Sequence, residues 1–250
     1  PLPGLEIHDA CDPIFGSEAM KGTLYGIGVG PGDPELMTLK AVRLMNACEV
    51  LAWPAPESGP GLAFQIAQPH LEAAQQEHLP LRLPISTDPF PALEAYDQAA
   101  SILAERLSSG KSIAVLCEGD PMFYGSFSYL FGRLSQTFPT EVLPAVSSPM
   151  ACAAASGWVL AAKNEPFTVL PGPMEISSLR RKLESAGSFA LMKIGRNFQK
   201  ICSLLEELNL AEEACLVEHA TLPNQRILKL HQVDPERVPY FSMILVRRHA

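Results

Sequence analysis

Short apolar runs alternate with amphipathic stretches along the chain, and this alternation is the pattern of an α/β protein. The continuous apolar run SIAVLC at residues 112–117 predicts a central parallel strand that is buried on both faces. Apolar residues at helical spacing predict helices between the strands. In the first half we predict strands at 23–29, 49–53 and 112–117 and helices at 34–48 and 91–109.

The same alternation continues in the second half of the chain. The predicted strands are 141–146, 167–170, 188–194, 214–219 and 240–247, and the predicted helices are 148–156, 176–186 and 197–209. The last two apolar runs, RILKLHQV and PYFSMILVRR, have no helix between them, which predicts an antiparallel pair.

The charge along the chain changes near residue 142. Residues 1–142 contain 7 Lys and Arg against 17 Asp and Glu, whereas residues 143–250 contain 12 against 10. We therefore predict an N-terminal extension (1–20), an N-terminal α/β domain (21–142) and a C-terminal α/β domain (143–250). A net charge of −8 argues against general nucleic-acid binding, because phosphate neutralisation supplies most of that affinity. An anionic ligand would find its cations in the second half.

The location of the protein is predicted from its cysteines and its apolar segments. Six cysteines lie far apart without a C-x-x-C pair, which predicts buried free thiols and a reducing cytoplasm. The chain contains no run of about 18 apolar residues, so we expect no membrane span. The first 19 residues are acidic and lack an apolar segment, so they do not resemble a signal peptide.

Three turns that follow predicted strands combine glycine or serine with a capping residue and proline. They are Gly32-Asp33-Pro34, Gly119-Asp120-Pro121 and Ser147-Ser148-Pro149. Asp or Ser at the N-cap and Pro at the first helical position are typical helix starts, so we predict that each turn opens a self-capped helix. Helix ends that are already capped are poorly suited to bind phosphate.

The turns lack the usual nucleotide-binding patterns. Pro31 and Asp33 stand where G-x-G-x-x-G requires glycine, and no P-loop or metal-ligand spacing is present. One such turn alone is more often an ordinary strand-to-helix connection than a ligand site. Glycine at the carboxyl ends of parallel strands nevertheless lets the backbone approach a ligand. A cationic ligand without phosphate, such as S-adenosylmethionine, fits this chemistry.

Four ordered segments resemble a known family. LYGIGVGPGDPELMTLKAVRLMNACEVLAWP, LCEGDPMFYGSF, PAVSSPMACAAA and LMKIGRN are similar to segments of the tetrapyrrole methylases, which are S-adenosylmethionine-dependent enzymes of corrin and sirohaem synthesis. The resemblance covers about residues 21–248. It implies two α/β domains with a mostly parallel and a mixed sheet, a cofactor cleft between them, and a homodimer. Within the family, the second and fourth segments are most similar to precorrin-2 C20-methyltransferases.

The resemblance also implies site residues. Those implied for the cofactor are Pro31, Glu118, Gly119, Asp120, Phe123, Ser147, Ser148, the segment Met192–Lys193 and Ala220. Tyr124 is a candidate catalytic group, and a core tyrosine on a helix face is the alternative. For substrate carboxylates the candidates are Lys193, Arg196 and Arg226. A solvated surface charge is the alternative for each of them and is the favoured interpretation for Arg226. No metal ligand is implied.

One position departs from part of the family. Members that act on uroporphyrinogen III carry an aspartate just after the second strand, where this chain has Trp53-Pro54. We therefore expect methylation of C20 of precorrin-2 or of its cobalt form. The alternatives are another corrin-ring or sirohaem-pathway methylase, a relative that modifies ribosomal RNA or a histidine-derived residue, and a catalytically silent adenosylmethionine-binding module.

Overall fold

The computed structural model describes residues 21–72, 75–83 and 89–247. The predicted extension at 1–20 lies outside them. The strands are β1 (Leu24–Gly28), β2 (Val50–Ala55), β3 (Glu77–Arg82), β4 (Ile113–Cys117), β5 (Thr140–Leu143), β6 (Phe167–Pro171), β7 (Ser188–Met192), β8 (Ala214–Glu218), β9 (Arg226–Lys229) and β10 (Ser242–Val246). The helices are α1 (Leu39–Ala47), α2 (Leu62–Ala67), α3 (Pro89–Ser108), α4 (Phe127–Leu134), α5 (Ser148–Ser156), α6 (Ile176–Leu183) and α7 (Phe198–Glu207).

The first sheet is parallel throughout and has the strand order β3-β2-β4-β1-β5. Its central strand β4 is fully buried, as the apolar run predicts. Helices α3 and α4 pack on one face through residues such as Leu103 and Phe127, and α1 and α2 pack on the other through Met45 and Ile66. The carboxyl ends of β4, β1 and β5 therefore meet at one edge of the sheet.

The second sheet is mixed, with the order β6-β7-β10-β8-β9. Strands β6 and β7 are parallel, whereas β10 is antiparallel to β7 and β8, and β9 is antiparallel to β8. The predicted mixed sheet is confirmed. The predicted pairing of the last two strands with each other is wrong, because β8 lies between them. Strand β10 is buried along its whole length and takes an interior position, while β9 is mostly exposed and forms the edge.

Several predicted bounds also change. Residues Pro34–Leu36 form a short 3₁₀ turn, and α1 begins only at Leu39, where the Thr38 hydroxyl accepts a hydrogen bond from the Ala41 amide at 3.2 Å. The elements α2 and β3 were not predicted, and α4 was predicted only as a helix opened by the second of the three turns. Strand β5 pairs with β1 and ends at Leu143, so the predicted division near residue 142 falls inside it and stays a prediction. Among the described residues, no helix is long and apolar enough to cross a membrane.

Gly28, the last residue of β1, has no room for a side chain. A Cβ atom there would lie 2.5 Å from the Ala145 Cβ, 2.8 Å from the Gly119 carbonyl oxygen and 2.9 Å from the Pro121 Cδ. These atoms belong to the loops that follow β4 and β5. The three adjacent strand ends are therefore packed directly against each other at Gly28.

We predict that Gly28→Ala lowers the free energy of unfolding by about 1–3 kcal/mol, because overpacking must push these loops apart. The matched control is Gly132→Ala, on an exposed position of α4 with no atom within 4 Å of a new Cβ. It should raise stability by about 0.5–1 kcal/mol through helix propensity. Urea denaturation of both variants measures the difference, and a Gly28→Ala variant as stable as the control would contradict the packing argument.

Candidate active site

Three turns lie side by side at the carboxyl edge of the first sheet. The first turn (30–33) follows β1, the second turn (118–124) follows β4, and the third turn (144–147) follows β5. The Gly119 amide donates to the Gly30 carbonyl at 2.8 Å, and the Gly30 amide donates to the Gly119 carbonyl at 3.3 Å. Both glycines have left-handed backbone, with a φ of +80° at Gly30 and +64° at Gly119, which favours glycine at both positions. These bonds fix the first turn to the second.

Asp120 joins the second turn to the third. Its Oδ1 accepts a hydrogen bond from the Met122 amide and its Oδ2 accepts one from the Ala145 amide, both at 2.9 Å. The prediction that Gly119-Asp120-Pro121 opens a helix is wrong, because α4 begins only at Phe127. Asp120 instead joins two loops, because its two carboxylate oxygens accept hydrogen bonds from one backbone amide in each.

Asp33, the last residue of the first turn, is a helix N-cap as predicted. It caps the short 3₁₀ turn at Pro34–Leu36, however, and not α1. Its Oδ1 accepts a hydrogen bond from the Glu35 amide at 2.9 Å. Its own amide donates to the Thr221 hydroxyl oxygen at 3.0 Å. Thr221 follows β8 of the second sheet, so the first turn is in direct contact with the C-terminal half of the chain.

The N-terminus of α5 differs from the prediction. The helix spans Ser148–Ser156 as expected, but its N-cap is Ser147, and the Ser147 side chain makes no capping hydrogen bond. The prediction that this helix end is closed by its own side chain is therefore wrong. Its first-turn amides and the Ser147 hydroxyl are available to an acceptor group of a ligand.

Tyr124 and Lys193 meet across the two halves of the chain. The Lys193 Nζ lies 5.3 Å from the centroid of the Tyr124 ring, within range of a cation–π interaction. Tyr124 is 47% exposed and precedes α4, so the alternative of a core tyrosine on a helix face is wrong. Phe123 packs edge-on against the Tyr124 ring at 5.0 Å. Both Tyr124 and Lys193 have a φ of +56°, a conformation that is unfavourable for side chains other than glycine.

The loop after β8 lies against the first turn, which it contacts through Thr221. Ala220 is buried in an apolar cluster with Ala151 and Cys152 of α5, and Met192 at the end of β7 packs against the same cluster. The predicted cofactor positions 192 and 220 thus belong to the same apolar cluster as α5. Lys193, the residue after Met192, is exposed.

Glu118 is the half-buried acid of the second turn. Its Oε1 accepts a hydrogen bond from the Ala63 amide at 3.3 Å, and burial raises the pKa of its carboxyl group although backbone amides oppose the shift. Tyr240, just before β10, lies near enough for the Glu118 charge to add to the effect of partial desolvation in raising the Tyr240 pKa. Sequence reasoning missed Tyr240. The available signal was the adjacent aromatic pair Tyr240-Phe241 at the start of the last apolar run.

The three candidate cations differ in their partners. Arg226 lies 3.5 Å from Oε2 of Glu218, a carboxylate that is only 4% exposed, so the charge of Arg226 is already paired. Arg196 and Lys193 are exposed, and neither forms an ion pair within residues 21–72, 75–83 and 89–247. Over the same ranges, no group of His, Cys, Asp and Glu side chains is arranged to hold a metal ion.

Comparison with known proteins identifies the family. The model of the tetrapyrrole (corrin/porphyrin) methylases matches residues 23–233. The chain belongs to this family. Cobalamin biosynthesis protein CobIJ of Mycobacterium tuberculosis is 36% identical over 233 residues, which cover 90% of this chain and 46% of that protein. This tetrapyrrole methylase chain thus spans about half the length of that relative.

Two other relatives are matched over nearly their whole length. A precorrin-2 C(20)-methyltransferase of a Sinorhizobium species is 35% identical, over 90% of this chain and 95% of the relative. A cobalt-precorrin-2 C(20)-methyltransferase of Salmonella typhimurium is 31% identical, over 92% and 98% respectively.

Solved structures support the tetrapyrrole methylase fold. A cobalt precorrin-4 methyltransferase aligns with a TM-score of 0.69 at 22% identity, over 90% of this chain and 94% of the other. The uroporphyrin-III C-methyltransferase of Thermus thermophilus, complexed with S-adenosylhomocysteine, aligns with a TM-score of 0.66 at 23% identity, over 90% and 92%. The predicted pair of α/β domains, one with a parallel and one with a mixed sheet, is confirmed.

We predict that Asp120→Ala lowers the free energy of unfolding of this protein by about 2 kcal/mol, because two amides lose a charged acceptor. Asp120→Asn keeps one acceptor oxygen and should lose about half as much. The control is Asp234→Ala, which removes one exposed bond to the Glu236 amide and should cost about 0.5–1 kcal/mol. Chemical denaturation gives the three values. Equal losses for Asp120→Ala and Asp234→Ala would show that the bridge to Ala145 contributes nothing.

Proposed function

We propose that this protein is an S-adenosylmethionine-dependent methyltransferase that methylates C20 of precorrin-2, or of cobalt-precorrin-2, in cobalamin biosynthesis. The observation that carries the proposal is the match to the two C(20)-methyltransferases, because it extends over 95% and 98% of those proteins. A relationship confined to the fold would not favour one ring position over another.

The cleft residues fit the chemical parts of S-adenosylmethionine. A ligand carboxylate would meet the free N-terminus of α5 and the Ser147 hydroxyl. Its cationic part would face the half-buried Glu118, and its adenosine would lie on the apolar wall that contains Ala220 and Met192. Space for the ligand exists beside Gly119, because no atom lies within 4 Å of the position that a Cβ would occupy there. Pro31, Asp120, Phe123, Ser148 and Lys193 complete the proposed cofactor set.

The bound cofactor supplies an electrophilic methyl group on a sulfonium. The C20 bridge of a reduced tetrapyrrole is enamine-like and already nucleophilic, so the protein's main task is to hold that carbon in line with the methyl group. A proton acceptor is needed only after transfer. We propose Tyr124 as the polar group close to the reacting carbon, because it is exposed in the cleft with Lys193 over its ring.

The substrate carboxylates require cations. Lys193 and Arg196 are the stronger candidates, because they are exposed and carry no ion pair in the part of the chain that the structure describes. Arg226 is the weaker one, because the Glu218 carboxylate already neutralises part of its charge.

Trp53 supports a ring position other than those of uroporphyrinogen III methylation. It is 5% exposed, stacks on Phe64 with 4.2 Å between ring centroids, and its indole Nε1 donates to the Pro60 carbonyl. These contacts give Trp53 a packing role in β2. Neither it nor Pro54 can accept a proton.

We further propose that the protein is a homodimer and works in the cytoplasm. The reducing compartment is supported by the five described cysteines, all of which are free thiols. Burial raises the pKa of Cys48 and of Cys152 to about 12, which keeps both thiols protonated and unreactive.

Incubation with labelled S-adenosylmethionine and precorrin-2, with and without cobalt, tests the proposed reaction. Mass spectrometry should find one added methyl group, and NMR should locate it at C20. Transfer to another carbon would instead indicate a different corrin-ring methylase. Cofactor binding without transfer to either substrate would indicate a catalytically silent binding module.

We predict that Lys193→Gln lowers kcat/KM for the tetrapyrrole by about tenfold, mainly through KM, because a carboxylate loses a charge-assisted contact. We propose that Lys193 contacts the cofactor through its backbone and the substrate through its side chain, so the affinity for the cofactor should stay within about twofold of the original. Lys163→Gln is the matched control, because Lys163 is also exposed and has a similar backbone φ of +52°. Steady-state kinetics separate the two effects, and equal losses in both variants would remove Lys193 from the substrate site.

A further inference from the structure

Thr221 has an unusual backbone conformation. Its φ is +69°, and it is the only β-branched residue among the non-glycine residues with positive φ in the described ranges. This region is particularly unfavourable for a β-branched side chain. Such a conformation persists only where the surrounding contacts hold it in place.

Two hydrogen bonds hold Thr221. Its amide donates to Oε1 of Gln225 at 2.7 Å, which fixes the backbone of the loop after β8. Its hydroxyl oxygen accepts a hydrogen bond from the amide of Asp33, 188 residues earlier in the chain, at 3.0 Å. The second bond therefore crosses from the loop after β8 to the first turn.

The two loops are also in close packing contact at this point. A Cβ on Gly32 would lie 2.6 Å from the Leu222 Cγ and 3.0 Å from the Thr221 hydroxyl oxygen. Pro31 and Ala220, the cofactor residues implied on opposite walls, are each adjacent in sequence to one of these contact residues. The Asp33–Thr221 bond thus joins the two loops next to Pro31 and Ala220.

We propose that Thr221 is a positioning residue for the cofactor, and that Gln225 supports it. The Thr221 hydroxyl sets the distance between Pro31 and Ala220, while Gln225 stabilises the left-handed backbone that directs the hydroxyl toward Asp33. This inference rests on the proposed function for the identity of the ligand. A glycine at position 221 would adopt the same φ at less cost, but it has no hydroxyl to accept the Asp33 amide.

Loss of the hydroxyl should reduce cofactor affinity for a specific reason. Without that acceptor the two loops separate in the free protein, and the ligand must bring them together when it binds. The cost of the unpaired Asp33 amide then appears in the dissociation constant. Thr221→Val tests this directly, because valine keeps the branched shape and the backbone strain and replaces the accepting hydroxyl by a methyl group.

The probe is S-adenosylhomocysteine, with binding measured by calorimetry on the full chain. Thr221→Val should raise Kd by about tenfold, and Thr221→Ser, which keeps the acceptor, should stay within about twofold. Gln225→Ala should raise Kd by about threefold. In turnover, Thr221→Val should raise the KM for S-adenosylmethionine and leave kcat and the tetrapyrrole KM nearly unchanged.

The matched control is Thr38→Val. The Thr38 hydroxyl also accepts a backbone amide, that of Ala41 at 3.2 Å, but it lies at the start of α1. This variant should lose stability and keep its affinity for S-adenosylhomocysteine. Unchanged affinity of Thr221→Val, or an equal loss in Thr38→Val, would overturn the positioning role and leave the proposed function intact. Absence of binding by the original protein would overturn both.

Discussion

The Asp120 carboxylate is the interaction on which the geometry of the candidate site most depends. Its two oxygens accept amides from the second and third turns, while Gly30 and Gly119 join the first turn to the second. Gly28 has no space for a side chain between these loops. One wall of the proposed cofactor cleft is therefore built largely from backbone groups held at fixed separations. Such a wall can present carbonyls and amides to a ligand with little reorganisation.

The other wall is built differently. Lys193, His219 and Thr221 have left-handed backbone, and Tyr124, opposite Lys193, has it as well. Strained conformations of this kind cost free energy and tend to occur where a site requires a particular direction of a side chain. Lys163 and Asn209 also have positive φ but are outside the cleft loops described above, so strain by itself does not identify the site. Four of the six strained residues in the described part of the chain nevertheless lie in the loops of the proposed site, and the Asp33–Thr221 and Tyr124–Lys193 contacts join these loops. Together these observations support the proposed site.

Periodicity and turn chemistry were sufficient to predict much of the fold, including β4, α3 and α5, because these signals are local. The glycines also indicated two of the turns that meet at the carboxyl edge of the first sheet. The roles of Asp120 and Thr221 could not be predicted in this way, because their partners are 25 and 188 residues away in sequence. The same limit explains the wrong pairing of β9 with β10, since the position of β10 within the sheet is decided by burial on both faces. The uncapped N-terminus of α5 was missed because either serine, Ser147 or Ser148, could cap a helix. The sequence does not show that the Ser147 side chain makes no capping hydrogen bond.

The central claim is that one cleft, formed by the three turns of the first sheet and the loops of the second, holds the cofactor. A crystal structure of the protein with S-adenosylhomocysteine tests it most directly. The account predicts ligand density in contact with Pro31, Gly119 and Ala220 and at the N-terminus of α5. Well-defined density elsewhere, or a ligand that touches only one of the two walls, would contradict the account.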